Sequence, residues 1–169
     1  MLFRAGPRAP ADSPPPTVRH LLSMNSGLSE DDPWADRLEE MSDEAFLALV
    51  GEPKSYARPS GVAYEYSNLG YAMLGRVIQN ATGSPSAVAA LEWVRRRIIE
   101  PLGMKDTAWS SAGLDRSRLA YGYARVDGRW EAQPVQQPGS FSALGGLYST
   151  VAALSIWVGG FLDAWPARD

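Results

Sequence analysis

The chain of 169 residues contains no cysteine and a single histidine, His20. The absence of cysteine excludes disulfides, thiolate zinc sites, iron–sulfur clusters and cysteine nucleophiles. One histidine excludes a metal centre built from several histidines of this chain. The sequence also lacks the glycine-rich loop that cradles a nucleotide phosphate. We therefore expect neither a metal nor an organic cofactor.

The net charge is small, and long apolar runs are few. Sixteen Lys and Arg residues against nineteen Asp and Glu residues give a formal net charge of −3, so no overall basic field attracts nucleic acid or an anionic membrane. The most apolar stretch, residues 147–165, is interrupted by Ser149, Gly159 and Asp163. Its apolar residues recur on one side at helical spacing, which favours a packed amphipathic helix over a membrane span.

The N-terminal residues 1–16 read MLFRAGPRAPADSPPP. Their only apolar patch is Leu2-Phe3, far shorter than the apolar core of about 7 residues or more in a secretory signal peptide. The run of three prolines disfavours a helix. We expect a disordered proline-rich leader, or a truncated edge of a longer chain, over residues 1–16 and a folded part over residues 17–169. Residues 1–16 do not resemble a signal peptide, and the absence of cysteine is compatible with a reduced or an oxidised location. The compartment therefore stays open.

Capping residues followed by apolar residues at helical spacing predict a mostly helical fold. The predicted helices cover residues 18–24, 43–50, 68–81, 85–99 and 150–162. The dipeptide Asp127-Gly128 predicts a two-residue β-hairpin turn. Helical periodicity predicts a buried face on the third helix, formed by residues 69, 72, 73, 77, 78 and 81. On the last helix it places Leu154, Trp157, Val158 and Phe161 on one face.

The segment Tyr64-Glu-Tyr-Ser-Asn-Leu-Gly-Tyr71 places a tyrosine, a hydroxyl and an amide at the N-terminus of the third helix. The partial positive charge there favours the anionic form of a phenol, which a tyrosine general base needs. Asn68 can donate and accept hydrogen bonds to an amide substrate. The alternative is structural: aromatic strand residues followed by a Ser/Asn helix cap.

Four segments, in order, resemble motifs of one enzyme family. Thr17-Val-Arg-His-Leu-Leu-Ser-Met-Asn-Ser-Gly-Leu28 is similar to its T-I-R-H-L-L-T-H-T-S-G-L stretch, and Tyr64–Gly75 to the surroundings of its Tyr-x-Asn motif. Pro101–Thr107 resembles its P-L-G-M-x-x-T turn, and Gly145–Thr150 its G-G-L-x-S-T segment. The family is the serine β-lactamase and penicillin-binding-protein-like superfamily, in its class C β-lactamase, D-Ala-D-Ala carboxypeptidase and esterase branch.

The resemblance implies an α+β fold of the β-lactamase/transpeptidase type, of which this chain covers mainly the helical lobe plus a short β-hairpin. It also implies that Tyr66 transfers protons and that Asn68 contacts the substrate, while Ser67 only caps the helix. The implied reaction is acyl-transfer hydrolysis of an amide, β-lactam or ester through a serine nucleophile. The implied substrate is a small molecule or a peptide.

The two lysines, Lys54 and Lys105, fit neither of the family's lysine motifs. Gly51 and Leu102 stand three residues before them, so neither forms Ser-x-x-Lys, the nucleophile motif. Neither begins a Lys-Thr-Gly strand. We therefore expect residues 17–169 to be a partial domain, without the N-terminal Ser-x-x-Lys segment and the C-terminal closing strand.

Three hypotheses follow from this pattern. The first is a part of a serine hydrolase that is inactive alone. The second is a non-catalytic relative that serves as a binding or scaffolding module, and the third is an unrelated helical domain. The sequence favours the first. It leaves the substrate, the oligomeric state and the compartment open: family members are often exported, whereas a genuine start at Met1 would indicate the cytoplasm.

Overall fold

The computed structural model describes residues 11, 13–30, 38–52 and 56–165. Most of the predicted leader over residues 1–16, as well as Lys54, lies outside the described residues. The chain divides into two compact units: unit 1 comprises residues 1–92 and 138–146, and unit 2 comprises residues 93–137 and 147–169.

The helices and strands follow one another in the order α1, α2, α3, α4, β1, β2, α5. Their bounds are Val18–Leu22, Asp43–Gly51, Asn68–Thr82 and Ala89–Val94 for α1 to α4, Tyr123–Val126 and Arg129–Ala132 for β1 and β2, and Val151–Asp163 for α5. A π-helical turn, Arg95–Ile99, continues α4. Short 3-10 turns occupy Ser111–Gly113, Arg116–Arg118 and Ser142–Leu144. The described residues are thus mostly helical with one antiparallel hairpin.

Side-chain caps fix the predicted starts of three helices. The hydroxyls of Ser42, Ser67 and Thr150 accept hydrogen bonds from the backbone N–H groups of Ala45, Gly70 and Ala153. Each bond satisfies one of the N–H groups that the first helical turn leaves unpaired. The hairpin is confirmed as well, because Asp127 and Gly128 have φ values of 47° and 81°, as a type I′ turn requires.

Two helix boundaries differ from the prediction. The first helix ends at Leu22, because Met24 adopts a left-handed φ of 53°. The fourth begins at Ala89 rather than at the Ser84-Pro85 cap. The hydroxyls of Ser84 and Ser86 accept bonds from the N–H groups of Ser86 and Val88, and such local turns compete with helix.

The core of unit 1 is built around α3. Its cluster of buried residues joins three helices and two loops and consists of Leu21, Leu28, Phe46, Val50, Leu69, Ala72, Met73, Leu74 and Phe141. Phe46 and Phe141 meet edge to face with ring centroids 6.0 Å apart. At Gly75, an added Cβ would lie 2.5 Å from the Cβ of Ala143. The glycine therefore lets residues 142–144 pack directly on α3.

A polar network ties α2 and residues 138–146 to α3. Arg76 Nη1 donates to Asp43 Oδ2 at 2.8 Å, and Gln79 Nε2 donates to the same oxygen at 3.0 Å. Ser140 donates its hydroxyl to the other carboxylate oxygen. Burial alone raises the pKa of Asp43, but the bonds from Ser140, Gln79 and Arg76 and the Arg76 charge outweigh burial and lower it below its usual value.

This network corrects the predicted buried face of α3. Gln79 is buried, and its side-chain amide donates a hydrogen bond to Asp43 and accepts one from Arg76. Ala81, in contrast, is exposed near the end of the helix. Hydrophobic periodicity does not register a buried amide, since it counts only apolar residues. The predicted positions 69, 72 and 73 are buried, and positions 77 and 78 are half-buried.

Unit 2 has a smaller core, consisting of Ile99, Met104 and Ala153 with Val94 and Trp109 packed against them. The segments at residues 108 and 148 pair as an antiparallel bridge, with Ala108 and Tyr148 exchanging backbone hydrogen bonds of 3.0 and 2.8 Å. Both strands of the hairpin are largely exposed.

The apolar face of α5 is exposed in this chain. Of its residues only Ala153 is buried, while Leu154 is 44% exposed and Phe161 62% exposed. Trp157 contacts Phe161 edge to face, with ring centroids 5.2 Å apart. The expectation of a packed amphipathic helix is therefore not met by these residues. No helix in the described part of the chain is long and apolar enough to cross a membrane.

Replacing Asp43 by asparagine is predicted to lower the free energy of unfolding by about 1–2 kcal/mol at neutral pH, because it removes charge-assisted hydrogen bonds. The lowered pKa makes this contribution present above the unfolded carboxyl's pKa and absent once the pH falls through the folded value. The difference between variant and unchanged chain should therefore shrink as the pH falls below about 4. Chemical denaturation across pH measures it.

The exposed Glu44 in the same helical turn provides the matched control, Glu44→Gln. A stability difference for Asp43→Asn that is independent of pH, or no larger than that of the control, contradicts the network's role.

Candidate functional site

The residue pair singled out in the sequence lies at the N-terminus of α3. Ser67 is the buried N-cap, and Tyr66 and Asn68 stand on either side of it. The Tyr66 hydroxyl donates to the Asn68 side-chain oxygen Oδ1 at 2.9 Å. Tyr66 is 43% exposed and Asn68 is half-buried. The fold thus presents a phenol and a primary amide side by side at an accessible helix end.

The backbone leading to Tyr66 is held by residues 24–27, which we name the acceptor turn. Its four successive carbonyl groups each accept a hydrogen bond from the segment 57–65, of 2.7, 2.8, 2.7 and 2.9 Å in chain order. The donors are Glu65 N–H, Gly61 N–H, the Ser60 hydroxyl and Ala57 N–H. Residues 62–66 form no strand, so the strand part of the structural alternative is wrong, whereas its helix cap is present at Ser67. These bonds take the place of a ladder.

Gly27 allows the acceptor turn to approach the segment this closely. Its φ is +81°, and an added Cβ would lie 2.2 Å from the backbone oxygen of Arg58. Only glycine combines that backbone conformation with that space. The neighbouring residues Ser26 and Leu28 are buried, so the turn forms part of the interior of unit 1.

Side chains add two further links around the site. Arg58 Nε and Glu65 Oε2 form an ion pair of 3.0 Å within the segment 57–65. The Tyr71 hydroxyl donates to the Leu22 carbonyl at 3.2 Å, which joins α3 to the end of α1. The N-terminus of α3 is therefore held from the acceptor turn, from α1 and from its own cap.

Burial distinguishes two tyrosines of this region. Burial raises the pKa of Tyr56, which packs against the core of unit 1, so its environment favours the neutral phenol. Tyr66 is more exposed and lies directly before the N-cap of α3, a helix of 15 residues.

His20 and the carboxylates contribute no metal centre in the described residues. His20 forms a capping box with Thr17: its backbone N–H donates to the Thr17 hydroxyl, and its Nδ1 accepts from the Thr17 backbone N–H at 3.3 Å. The two bonds of the capping box give His20 a structural role at the start of α1. Across the part of the chain that the structure describes, no group of three or more His, Cys, Asp or Glu residues is placed to hold a metal.

The two later motif segments meet in unit 2. The hydroxyls of Thr107 and Ser149 lie 2.9 Å apart, next to the bridge between Ala108 and Tyr148. A cavity of about 290 Å³ adjoins them, with the ion pair of Asp106 and Arg118 in its lining. Tyr66 and Asn68 are not among the residues that line it.

Sequence reasoning missed the acceptor turn, because hydrogen bonds to backbone carbonyls leave no residue-type signature. The available signal was Asn25-Ser26-Gly27 after a short helix, which indicates a turn but not the segment that the turn binds.

The sequence model of the family described as Beta-lactamase matches residues 7–168. Esterase EstB of Burkholderia gladioli is 33% identical over 130 residues, which cover 67% of this chain and 31% of the esterase. The chain spans about a fifth to a third of the length of the curated relatives that it matches.

Solved structures give the same result for the fold. The octameric penicillin-binding protein homologue from Pyrococcus abyssi superimposes with a TM-score of 0.72 at 26% identity, covering 89% of this chain and 35% of that chain. The D-amino acid amidase from Ochrobactrum anthropi SV3 superimposes with a TM-score of 0.61 at 29% identity, covering 87% and 43%. The fold is therefore of the β-lactamase/transpeptidase type, as expected.

Gly27→Ala is predicted to lower the free energy of unfolding by about 2 kcal/mol or more, because the Cβ meets the Arg58 carbonyl and the left-handed φ disfavours alanine. Urea denaturation of the variant measures this loss. Gly113→Ala is the control, since no atom lies within 4 Å of its added Cβ. Equal stability of the two variants would refute the close approach between the acceptor turn and residues 57–65.

Proposed function

The chain belongs to the β-lactamase family, whose members are serine hydrolases, and on this premise we propose that it supplies the proton-transfer and substrate-contact half of a serine acyl-transfer site. Tyr66 transfers the proton and Asn68 contacts the substrate. The observation that carries the proposal is the Tyr66–Asn68 pair at the accessible N-terminus of α3.

The chemistry divides between this pair and a serine. The serine hydroxyl attacks the carbonyl carbon of an ester or amide, and Tyr66, which acts in its phenolate form at this step, takes up the proton that the hydroxyl loses and becomes the neutral phenol. When the tetrahedral intermediate collapses, Tyr66 delivers the proton to the leaving oxygen or nitrogen. Water then repeats the sequence on the acyl-enzyme and releases the acid. Asn68 orients the substrate, because its amide offers N–H donors while its oxygen accepts from Tyr66.

We propose that the serine and its lysine come from residues other than these 169. The sequence contains no Ser-x-x-Lys and no Lys-Thr-Gly, and the chain spans a fifth to a third of its relatives' length. On this proposal residues 17–169 are a partial domain, preceded by the proline-rich segment 1–16, and have no covalent hydrolase activity alone.

The exposed face of α5 supports the partial-domain proposal. Side chains such as Leu154, Val158 and Phe161 remain accessible to solvent in this chain, and contiguous apolar surface of this kind indicates a face that another protein segment covers. In the proposal, the remainder of the same β-lactamase-type domain covers it.

The substrate class follows from the reaction type. A relative is an esterase and a solved neighbour is a D-amino acid amidase, which supports an ester or amide carbonyl in a small molecule or peptide. The accessible Tyr66 and Asn68 suit a substrate that enters from solvent. β-Lactams, which are cyclic amides, are one member of this class.

In an intact version of the domain that includes a Ser-x-x-Lys segment, Tyr66→Phe is predicted to slow acylation about 100-fold or more, the usual contribution of a positioned acid–base group. The burst with a chromogenic ester or cephalosporin measures this step. Tyr64→Phe is the matched control, since Tyr64 is also an exposed tyrosine, two residues earlier. The 169-residue chain, assayed in the same way, provides the blank.

Unchanged acylation in Tyr66→Phe removes the proton-transfer role. If the intact domain gives no burst but still binds its ligand reversibly, the chain belongs to a binding or scaffolding module instead.

A further inference from the structure

Met24 stands out as a non-glycine residue in the left-handed region. Its φ is 53°, and it is half-buried at the start of the acceptor turn. Such a backbone conformation is unfavourable for a residue with a Cβ, and it persists only where surrounding contacts impose it. The hydrogen bonds of Met24 explain why this conformation is kept.

Met24 accepts hydrogen bonds from the backbone N–H groups of the two residues that flank Tyr66. Its carbonyl oxygen accepts from the Glu65 N–H at 2.7 Å, and its thioether sulfur Sδ accepts from the Ser67 N–H at 3.3 Å. Glu65 and Ser67 are the residues immediately before and after Tyr66. A single residue, through its backbone and its side chain together, therefore brackets the tyrosine.

We propose that Met24 is a positioning residue for Tyr66: it anchors the backbone on either side and so aims the phenol at Asn68. The inference rests on the proposed role of Tyr66 in proton transfer. The aim of a side chain is set by the direction of its Cα–Cβ bond and by its χ1 rotamer, and the allowed rotamers depend on the φ and ψ of that residue. The hydrogen bonds at Glu65 and Ser67 restrain the backbone on either side of Tyr66 and so limit both. The bond from Tyr66 to Asn68 Oδ1 is then the consequence of the anchor.

The left-handed conformation explains how one residue makes both contacts. The Met24 N–H donates a hydrogen bond to the Leu21 carbonyl at the end of α1. The chain must therefore reverse sharply for the Met24 carbonyl and side chain to reach the residues around Tyr66.

The test uses nuclear magnetic resonance on the 169-residue chain and needs no catalysis. Met24→Leu keeps the side-chain size but removes the sulfur acceptor. The Ser67 amide is expected to exchange its proton about 3- to 10-fold faster, as for the loss of one hydrogen bond, while the Glu65 amide keeps its protection. The Hα–Hβ couplings of Tyr66 are expected to change from those of one rotamer to a rotamer average.

Met24→Gly is the second variant, because glycine adopts the positive φ without strain and also lacks the sulfur. It should reproduce both changes even if leucine perturbs folding. Met104→Leu is the control: Met104 is a buried methionine in unit 2, and its loss should leave the Ser67 amide and the Tyr66 couplings unchanged.

A Tyr66 side chain that keeps one rotamer in both Met24 variants overturns the proposal, as does one that is already averaged in the unchanged chain. Equal effects of Met104→Leu at Ser67 and Tyr66 overturn it too. These outcomes are separate from the failure of the proposed function, which shows as unchanged acylation in Tyr66→Phe or as reversible binding without a burst in the intact domain.

Discussion

The hydrogen bonds from residues 57–65 to the carbonyls of the acceptor turn are the constraint on which the candidate site depends. Residues 57–66 belong to no helix or strand, so their backbone needs partners elsewhere. The turn at residues 24–27 provides successive carbonyls for this purpose. Its geometry depends on the absence of a side chain at Gly27 and on the left-handed conformation of Met24. Tyr66 occupies its place because these requirements are met together.

Helix α3 follows this segment directly and holds the candidate site in place. Ser67 caps α3, and the buried residues of α3 form the centre of the core of unit 1. Asp43, Arg76, Gln79 and Ser140 connect the far part of α3 to α2 and to residues 138–146. An accessible phenol and amide thus stand at the start of a helix that is held along its length, as the proposed proton transfer and substrate contact require.

The sequence allowed the caps, the hairpin and the place of Tyr66 and Asn68 to be predicted, because these depend on local residue types. Ser42, Ser67 and Thr150 are capping residues in any context, and Asp127-Gly128 specifies its own turn. The end of α1 at Leu22, the buried amide of Gln79 and the partners of the acceptor turn depend on residues distant in sequence. Periodicity also predicted one apolar face on α5, but only tertiary contacts decide whether such a face is covered.

The separation between Tyr66 and the nucleophilic serine decides whether Tyr66 transfers the proton. It is measured in a crystal structure of an intact version of the domain, covalently acylated by a β-lactam or an activated ester. We expect the Tyr66 hydroxyl about 2.6–3.2 Å from the Oγ of the acylated serine. We also expect Asn68 to contact the acyl group and the rest of the domain to cover the apolar face of α5. An acylated serine beyond hydrogen-bonding reach of Tyr66, even through one water molecule, would rule out this proton transfer.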